Sequence, residues 1–295
     1  MNKAFFQWFG FAFPIALSLV HMVCSALGSE IVLRTGAYDM APLSMAEQLQ
    51  LFLFSLLFSA NIVVGNSALK YVPVSLVQVV RSVIPGLTLM LSMLVLGKKY
   101  SSSYYWTILL IVIGVALASA GEVEFHFVGF LLTVLVCFLS SLKSVVSQKF
   151  LVGKLNFHPF VLLQRMSWMS AAQMLVMSLL LEKAAIQDWW KVHDTDAIAG
   201  QGLDRVQFAL LLLANGAMAF LLNYTNFMTT KKTSALTVTV AGNVKHMCTI
   251  LFSVMMFKNP ISLLNGAGTL VTLVGAVIYS MLEYNEKLRQ KARAT

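Results

Sequence analysis

The sequence predicts an all-α membrane protein built from two inverted repeats of five helices, with the first helix missing and about nine transmembrane helices remaining. Three observations predict this fold: the composition, a series of long apolar runs, and an internal match between the two halves. The 295 residues are 58% hydrophobic and 11% charged, whereas soluble domains carry about 25% charged residues. Such a chain needs lipid around it, because it has too few polar groups to cover a water-facing surface.

The apolar runs have the length of membrane spans. The hydrocarbon core of a bilayer takes about 20 residues of α-helix. Nine runs come near this length, at residues 11–33, 48–69, 74–96, 104–120, 126–147, 158–181, 207–229, 234–257 and 261–282. We predict a helix for each of them.

The connections between the runs are short, with one exception. Residues 182–206 are predicted to form a polar loop that carries an interfacial aromatic pair, Trp189 and Trp190. Residues 283–295 are predicted to form a charged, solvated tail.

The two halves of the chain match each other. Ser92 aligns with Ser253, and Gly114 with Gly275, at an offset of 161 residues. The match of Asn61 with Asn223, and of Lys70 with Lys232, has an offset of 162. Pro14 aligns with Pro159 at a shorter offset of 145, and the long 182–206 connection absorbs the difference. A repeat of this kind is typical of secondary transporters.

The run at 126–147 has no partner in the first half, which predicts that one helix is missing there. The sequence is therefore interpreted as a truncated or mis-started version of a ten-helix protein. The first half would cover residues 1–124 and the second half residues 125–282. Because each half would contain an odd number of helices, the halves would lie in opposite orientations.

The basic residues favour one orientation in the membrane. The formal net charge is +9, and most Lys and Arg residues flank the apolar runs, which is unlike the basic stripe of a nucleic-acid-binding protein. Placing the C-terminus in the cytosol gives that side 11 Lys and Arg residues against 6 on the opposite side. This bias agrees with the positive-inside rule. The cysteines have no metal-type spacing, and no cofactor is predicted.

Four basic residues lie inside the apolar runs: Arg81, Lys143, Arg165 and Lys245. No Asp or Glu lies in the middle of a run, so none is placed to neutralise them. A charged side chain at the bilayer centre costs at least about 2.5–3.5 kcal/mol. We therefore expect an anionic ligand or a wet cavity to complete the site.

The four positions differ in depth. Lys245 lies near the middle of its run, where its amine cannot easily reach water, whereas Arg81, Arg165 and Lys143 lie closer to an end and could snorkel. Two of the four cations, Arg81 and Lys245, lie on polar helical stripes. Gln78, Arg81, Pro85, Thr88 and Ser92 share one stripe, and Lys245 shares the other with Ser234, Thr237, Ala241 and Thr249. Packing through small residues would explain such stripes but not their central cations.

Enzyme signatures are absent from the sequence: there is no HExxH, GxSxG or Walker motif, and we predict that the protein is not an enzyme. His21 and His246 could carry protons, but a single His is more often a satisfied core residue. An exporter of neutral or cationic metabolites would be favoured by an acid buried in the middle of a run, and no Asp or Glu lies there.

Several stretches resemble the triose-phosphate translocator and nucleotide-sugar transporter family, which belongs to the drug/metabolite transporter superfamily. They are FSANIVVGNSALKYVPVSLVQVVRSVIP, GVALASAGEVEF, KKTSALTVTVAGNVKHMCTILFSVMMFKNPIS and VGAVIYS. The similarity extends from about Phe13 to Tyr284. It implies the drug/metabolite transporter fold of ten helices in two inverted halves, with a substrate that carries phosphoryl groups.

The resemblance also implies roles for individual residues. Lys245 falls at a phosphate-binding Lys of the plastid translocators, whereas His246 stands where those proteins have Arg. Gly242, Asn243 and Lys245 resemble the Gly-Asn-Lys cluster that nucleotide-sugar carriers use for the nucleotide. Asn223 and Tyr224 resemble a Tyr/Asn-rich motif one helix earlier, in a different order.

The predicted function is antiport of a phosphorylated organic anion, with a nucleotide sugar exchanged for a nucleoside monophosphate. A sugar-phosphate/phosphate translocator and a non-transporting scaffold or inactive fragment are the alternatives. The predicted substrate-binding residues are Lys245, Arg81, Asn243, Gly242, Gln78, His246, Arg165, Asn223, Tyr224 and Lys143. The expected partners are the substrate, its counter-anion and the lipid bilayer, without nucleic acid and with a homodimer left open. The expected location is the Golgi or endoplasmic reticulum membrane, with the C-terminus in the cytosol.

Overall fold

The regular structure of the chain is helical wherever it is described. The computed structural model describes residues 5, 9–36, 42–68, 71–72, 74–97, 101–120, 126–192, 205–239, 241–242 and 262–294. These contain the helices α1 (Pro14–Arg34), α2 (Met45–Ala68), α3 (Val74–Arg81), α4 (Ile84–Leu96), α5 (Ser102–Ala120), α6 (Phe127–Val152), α7 (Pro159–Leu181), α8 (Lys183–Val192), α9 (Arg205–Lys232) and α10 (Leu263–Ala294). Residues 235–239 are also helical. The prediction of an all-helical membrane chain is confirmed for these ranges.

Six spans in the described ranges are long and apolar enough to cross a membrane. They are Pro14–Arg34, Met45–Gly65, Leu76–Leu96, Phe127–Val152, Val206–Lys232 and Leu263–Glu286. The pair of α7 and α8 makes a seventh if it counts as one bent span, and α5 contains a shorter apolar helix, Ser102–Ala118. Most of the run predicted at 234–257 lies outside the described residues, so the total of nine stays a prediction.

Local sequence explains where several helices begin. Pro14 and Pro159 open α1 and α7, where the amide that proline lacks would have no partner within the helix. Ser44 and Glu47 form a capping box before α2: the Ser44 amide donates to Glu47 Oε2 at 2.9 Å, and the Glu47 amide faces Ser44 Oγ at 3.4 Å. These reciprocal bonds satisfy two amides that have no carbonyl partner within the helix.

The predicted loop at 182–206 is wrong for its first part, because residues 183–192 form the helix α8. α8 is bent by 71° from α7. Its Trp189 is buried and packs edge-on against Phe11, with the ring centroids 5.3 Å apart. Ten residues are too few for a span, so a search for long apolar runs does not detect a short helix that buries one aromatic face.

The last helix is longer than its apolar run. The run was predicted to end at 282, with a solvated tail after it, but α10 continues without interruption from Leu263 to Ala294. Lys, Arg, Glu and Gln are good helix formers, and these residue types fill much of the sequence that follows the run.

The chain forms two compact units, each made of two separate stretches of the sequence. Unit 1 contains residues 1–63 and 150–231, and unit 2 contains residues 64–149 and 232–295. This division differs from the predicted repeat halves at 1–124 and 125–282, which stay a prediction.

Unit 1 is held by polar contacts between helices as well as by apolar packing. Gln164 on α7 donates to Glu30 on α1 at 2.8 Å, and Asn215 on α9 lies 3.0 Å from the ring of His21 on α1. Gln173 on α7 bonds both Ser55 and Ser59 on α2. Hydrogen bonds between polar side chains are a common means of holding membrane helices together.

Unit 2 contains a close glycine contact between α5 and α10. A Cβ atom added to Gly114 would lie 2.5 Å from the backbone nitrogen of Thr272, and one added to Gly275 would lie 2.8 Å from the Ile111 side chain. Ile111 and Thr272, like Gly114 and Gly275, are 161 positions apart. Shifting the Gly114–Thr272 contact by the offset of the sequence repeat therefore gives the Gly275–Ile111 contact.

Candidate functional site

The span that carries Arg81 is interrupted directly after this residue. α3 ends at Arg81 and α4 begins at Ile84. At the junction the amides of Ser82 and Val83 donate to the carbonyls three residues earlier, those of Val79 and Val80. Pro85 follows, and proline cannot donate to the carbonyl four residues earlier. A proline inside a helix kinks or breaks it, and here the break lies at residues 82–83.

Side chains from α6 and α10 satisfy the backbone around the break. The Cys137 thiol donates to the carbonyl of Val80 at 3.7 Å, and the Ser141 hydroxyl lies 3.2 Å from the carbonyl of Ile84 and 2.8 Å from that of Cys137 on its own helix. The Tyr279 hydroxyl donates to the carbonyl of Pro85 at 3.3 Å. Helix breaks are tolerated within a membrane when neighbouring side chains bond the affected carbonyls in this way.

Arg81 is the C-terminal residue of α3, where a cation is favoured by the helix dipole. Its Nε atom is buried and has no hydrogen-bond partner among the described residues. Its Nη2 atom lies 3.8 Å from the position that a Cβ atom on Gly65 of α2 would occupy. A buried guanidinium nitrogen without an acceptor destabilises the folded protein. The Nε atom can therefore donate a hydrogen bond to an oxygen of an anion or of a water molecule.

Two hydroxyl groups continue the stripe beyond Pro85. Thr88 and Ser92 are 0% and 1% exposed, and the oxygen of each lacks a hydrogen-bond partner in the described part of the chain. Two further predicted residues of this unit are described. Gln78 and Lys143 are half-buried on α3 and α6, and the Gln78 carbonyl accepts a bond from Ser82 at 3.3 Å.

Lys245, the second cation on a polar stripe, lies in a part of the chain that the structure does not describe. Lys245, Asn243 and His246 lie outside the described residues. Gly242 is described and half-buried, and a Cβ atom added to it would meet no atom within 4 Å. The predicted roles of Lys245, Asn243 and His246 in substrate binding therefore stay predictions.

Arg165 lies in unit 1, at the first turns of α7. Its guanidinium carbon lies 5.8 Å from the centre of the Phe157 ring, within the range of a cation–π contact. Lys231 donates to the carbonyls of Asn156 and Phe157 at 3.3 and 2.8 Å. Both basic side chains thus meet the turn that precedes α7.

Asn223 and Tyr224 are on α9 of the same unit. The Tyr224 ring stacks on Phe160, with the centroids 4.1 Å apart and the planes 8° from parallel. The Asn223 amide donates to the Ser25 hydroxyl at 3.4 Å. The ring of Tyr224, one of the predicted substrate-binding residues, is thus oriented by a second aromatic ring.

Glu182 has a structural role that the sequence analysis does not predict, since it places this residue in a polar loop. It is 8% exposed. Its carboxylate accepts bonds from the amides of Ile15 and Ala16 at 3.0 and 2.8 Å, and from the Ser178 hydroxyl at 3.4 Å. An anion is favourable at the N-terminus of α1. Its position beside the apolar end of α7 is a signal in the sequence, but its two amide partners are more than 160 positions away.

These features define a multi-pass helical membrane protein with polar and cationic groups inside its spans. The model of the Triose-phosphate Transporter family matches residues 1–280, and the chain belongs to this family of transporters. The resemblance found in the sequence is confirmed.

The relatives differ in what they are named for. The chain is 32% identical to the GDP-mannose transporter GONST5 of Arabidopsis thaliana, with 96% of this chain and 81% of that protein covered. It is 31% identical to UDP-galactose transporter 1 of Arabidopsis thaliana, at 96% and 82% coverage. It is 34% identical to a probable sugar phosphate/phosphate translocator of Arabidopsis thaliana, at 98% and 78% coverage.

A solved crystal structure has a similar fold. It aligns with a TM-score of 0.65 at 16% sequence identity, over 95% of this chain and 93% of the other. At this identity the likeness concerns the fold alone.

Proposed function

We propose that the protein is an antiporter of a phosphorylated organic anion, and specifically that it exchanges a nucleotide sugar for a nucleoside monophosphate. The observation that carries the proposal is Arg81, whose buried Nε atom has no acceptor among the described residues. An arginine fork can hold a phosphoryl group through two parallel bonds. The relatives named for GDP-mannose and UDP-galactose support this substrate class.

Lys245 and Asn243 complete the site in this proposal. They follow Gly242 closely in the sequence, and a second cation would share the charge of a diphosphate with Arg81. Gln78, Lys143 and His246 would add hydrogen bonds or charge. Arg165, Asn223 and Tyr224 are proposed to contact the nucleoside or sugar, with the Phe160 ring supporting the plane of Tyr224.

The proposed exchange follows from the charge balance of the spans. No Asp or Glu lies in the middle of an apolar run, as a carrier driven by protons or sodium would generally need. An empty carrier would have to move uncompensated buried cations through its occluded state, whereas a loaded carrier would not. Uptake of one anion should therefore require release of another.

Liposomes containing the purified protein test the proposal. They are loaded with buffer, phosphate or a nucleoside monophosphate, and then receive labelled nucleotide sugars or sugar phosphates. We expect uptake of a nucleotide sugar only into vesicles that contain the monophosphate. Uptake that follows an imposed proton gradient and ignores the internal anion would refute exchange and direct attention to His21 and His246.

The same assay tests the second cation. Lys245→Ala should abolish uptake in a protein that inserts normally, because the substrate loses one of its two charge partners. Lys232→Ala, which changes an exposed lysine at the end of α9, is the control. Normal uptake by Lys245→Ala would remove this residue from the site.

A sugar-phosphate/phosphate translocator is the second candidate, and the relative at 34% identity favours it. Exchange of a sugar phosphate for internal phosphate, without uptake of nucleotide sugars, would establish it. A well-folded protein that exchanges none of these anions would support a non-transporting role instead.

The finer architecture belongs to the same proposal. Two inverted halves of a ten-helix pattern are supported by the paired contacts of Gly114 with Thr272 and of Gly275 with Ile111. A cytosolic C-terminus agrees with the lysine and arginine bias. The proposed Golgi or endoplasmic reticulum location rests instead on the relatives named for GDP-mannose and UDP-galactose. Cysteine labelling from each side of sealed vesicles tests the orientation, and light scattering of the purified protein tests the homodimer.

A further inference from the structure

An apolar cavity of about 230 Å³ lies in unit 2, beside the break that follows Arg81. Its inner walls come from α3, the break, α4, α5 and α6, through Val80, Val83, Leu87, Val115, Phe130 and Cys137. None of the lining residues is charged, and the Cys137 thiol already donates to the Val80 carbonyl. Apolar cavities of about 150 Å³ stay dry and accept hydrocarbon guests such as benzene. The cavity therefore suits hydrocarbon and cannot hold the anionic substrate.

The mouth of the cavity lies on the outer surface of two apolar helices. Val112 on α5 and Val134 on α6 line it and are 44% and 40% exposed, and Ala116 beside them is also exposed. α6 is a membrane span, and α5 contains an apolar helix. The medium at such a surface is the hydrocarbon of the bilayer. The chemistry that covers the mouth is therefore that of lipid acyl chains.

We propose that this cavity is a binding site for one acyl chain of a membrane lipid. The chain enters between Val112 and Val134 and ends against Val80 and Val83, the residues on either side of Arg81 and Ser82. Filling the cavity adds dispersion contacts that the walls lack when it is empty. The bound chain thereby stabilises the broken part of the span in its described geometry. The proposal does not depend on which anion the protein carries.

Photochemical labelling tests the site in the whole protein reconstituted in bilayers. The probe is a phosphatidylcholine with a diazirine near the end of one acyl chain, and the labelled residues are mapped by mass spectrometry. We expect labels on the cavity walls from α4, α5 and α6. Labelling there should saturate as the mole fraction of probe rises, because a single site fills, whereas labelling of the general lipid-facing surface should rise in proportion to the probe.

Two neighbouring substitutions provide a matched pair. Ala116→Trp places an indole in the mouth and should lower labelling of the walls several-fold. Leu117→Trp adds the same ring at an exposed position of α5 that does not line the cavity, and it should leave labelling unchanged. If Ala116→Trp does not give monodisperse protein, Ala116→Leu is used, and the saturation measurement needs no variant.

Several results would overturn the proposal. Labelling of the walls that never saturates, or that is equal in the two tryptophan variants, would show ordinary contact with bulk lipid. Stronger saturable labelling by a photoactivatable sterol than by the phospholipid would assign the site to a different ligand. Cross-links between two copies of the chain across Val112 and Val134 would show that a protein surface covers the mouth.

Discussion

The carboxylate of Glu182 accepts a hydrogen bond of 2.8 Å from the amide of Ala16, and its other oxygen accepts one of 3.0 Å from the amide of Ile15. Glu182 lies at the corner between α7 and α8, and the two amides lie in the first turn of α1. One side chain thus satisfies two helix amides that have no carbonyl partner within α1.

Removal of this carboxylate should destabilise the protein. Glu182→Ala leaves two amides without an acceptor, at a cost of about 1–3 kcal/mol for each buried group. Glu182→Gln keeps one acceptor oxygen and should have an intermediate effect. The apparent Tm in detergent measures both, with Lys183→Ala as the control at the adjacent exposed position. Equal Tm values for all four proteins would contradict this role.

Gly114 should tolerate no side chain. The Cβ atom of Gly114→Ala would lie 2.5 Å from the Thr272 backbone, so α5 and α10 would have to separate, and overpacking of this kind costs about 1–3 kcal/mol.

Gly65→Ala is the matched control for this substitution. Its Cβ atom would have ordinary contacts of 3.7 Å or more, and alanine is the better helix former by about 1 kcal/mol. We therefore expect a lower Tm for Gly114→Ala and an unchanged or higher Tm for Gly65→Ala. The reverse order would show that the close contact does not constrain the helices.

His158 should make stability depend on pH. Partial burial, and then the positive charge of Lys231, lower the pKa of His158 below its ordinary value. The unfolded chain therefore takes up a proton near pH 6.5 while the folded chain does not. The stability linked to this group is present above that pH and is lost as the pH falls towards the folded pKa.

Protonation would also remove the acceptor that His158 Nδ1 offers to the Phe160 amide at 3.4 Å. We expect a larger fall in Tm between pH 7.5 and pH 5 for the wild type than for His158→Asn, which keeps a capping oxygen but does not titrate. The same fall in both proteins would assign the pH dependence to other groups.

Arg81 should be required for transport in its charged, forked form. Arg81→Ala removes the cation and should reduce anion exchange at least tenfold, which corresponds to about 1.4 kcal/mol. Arg81→Lys keeps a point charge but loses the planar fork, so we expect slower exchange that survives. Initial exchange rates and KM in liposomes measure both effects.

Arg34→Ala is the control for these rates, since this exposed arginine at the end of α1 pairs with Glu30. Exchange that is equal in the wild type, Arg81→Ala and Arg81→Lys would show that the guanidinium is structural only.

Helix positions could be predicted because a bilayer demands one long apolar run for each span. The runs at 11–33 and 158–181 correspond closely to α1 and α7. Such patterns depend only on residues that are close together in the sequence. The intramembrane position of Arg81 followed from the same reasoning, since it compares one charged residue with its apolar neighbours.

Features that depend on distant contacts could not be predicted. Trp189 is buried because residues near the start of the chain and on α9 surround it, and neither group is near it in sequence. Glu182 looked like a loop acid because its amide partners are 166 and 167 positions away. Pro85 indicated a disturbed helix, but the position of the break also depends on Cys137 and Ser141 of α6.

The glycine contact between α5 and α10 also limits how the protein can move. At Gly114 the space for a Cβ atom is taken by the backbone nitrogen of Thr272, and at Gly275 it is taken by the Ile111 side chain, with the Ile111 backbone nitrogen 3.2 Å away. Rotation of one helix against the other would bring a Cβ atom into a backbone. We therefore expect α5 and α10 to move together as one rigid body in any rearrangement of unit 2. The change in backbone angles would then occur elsewhere, and the break at residues 82–83 is one position where it can.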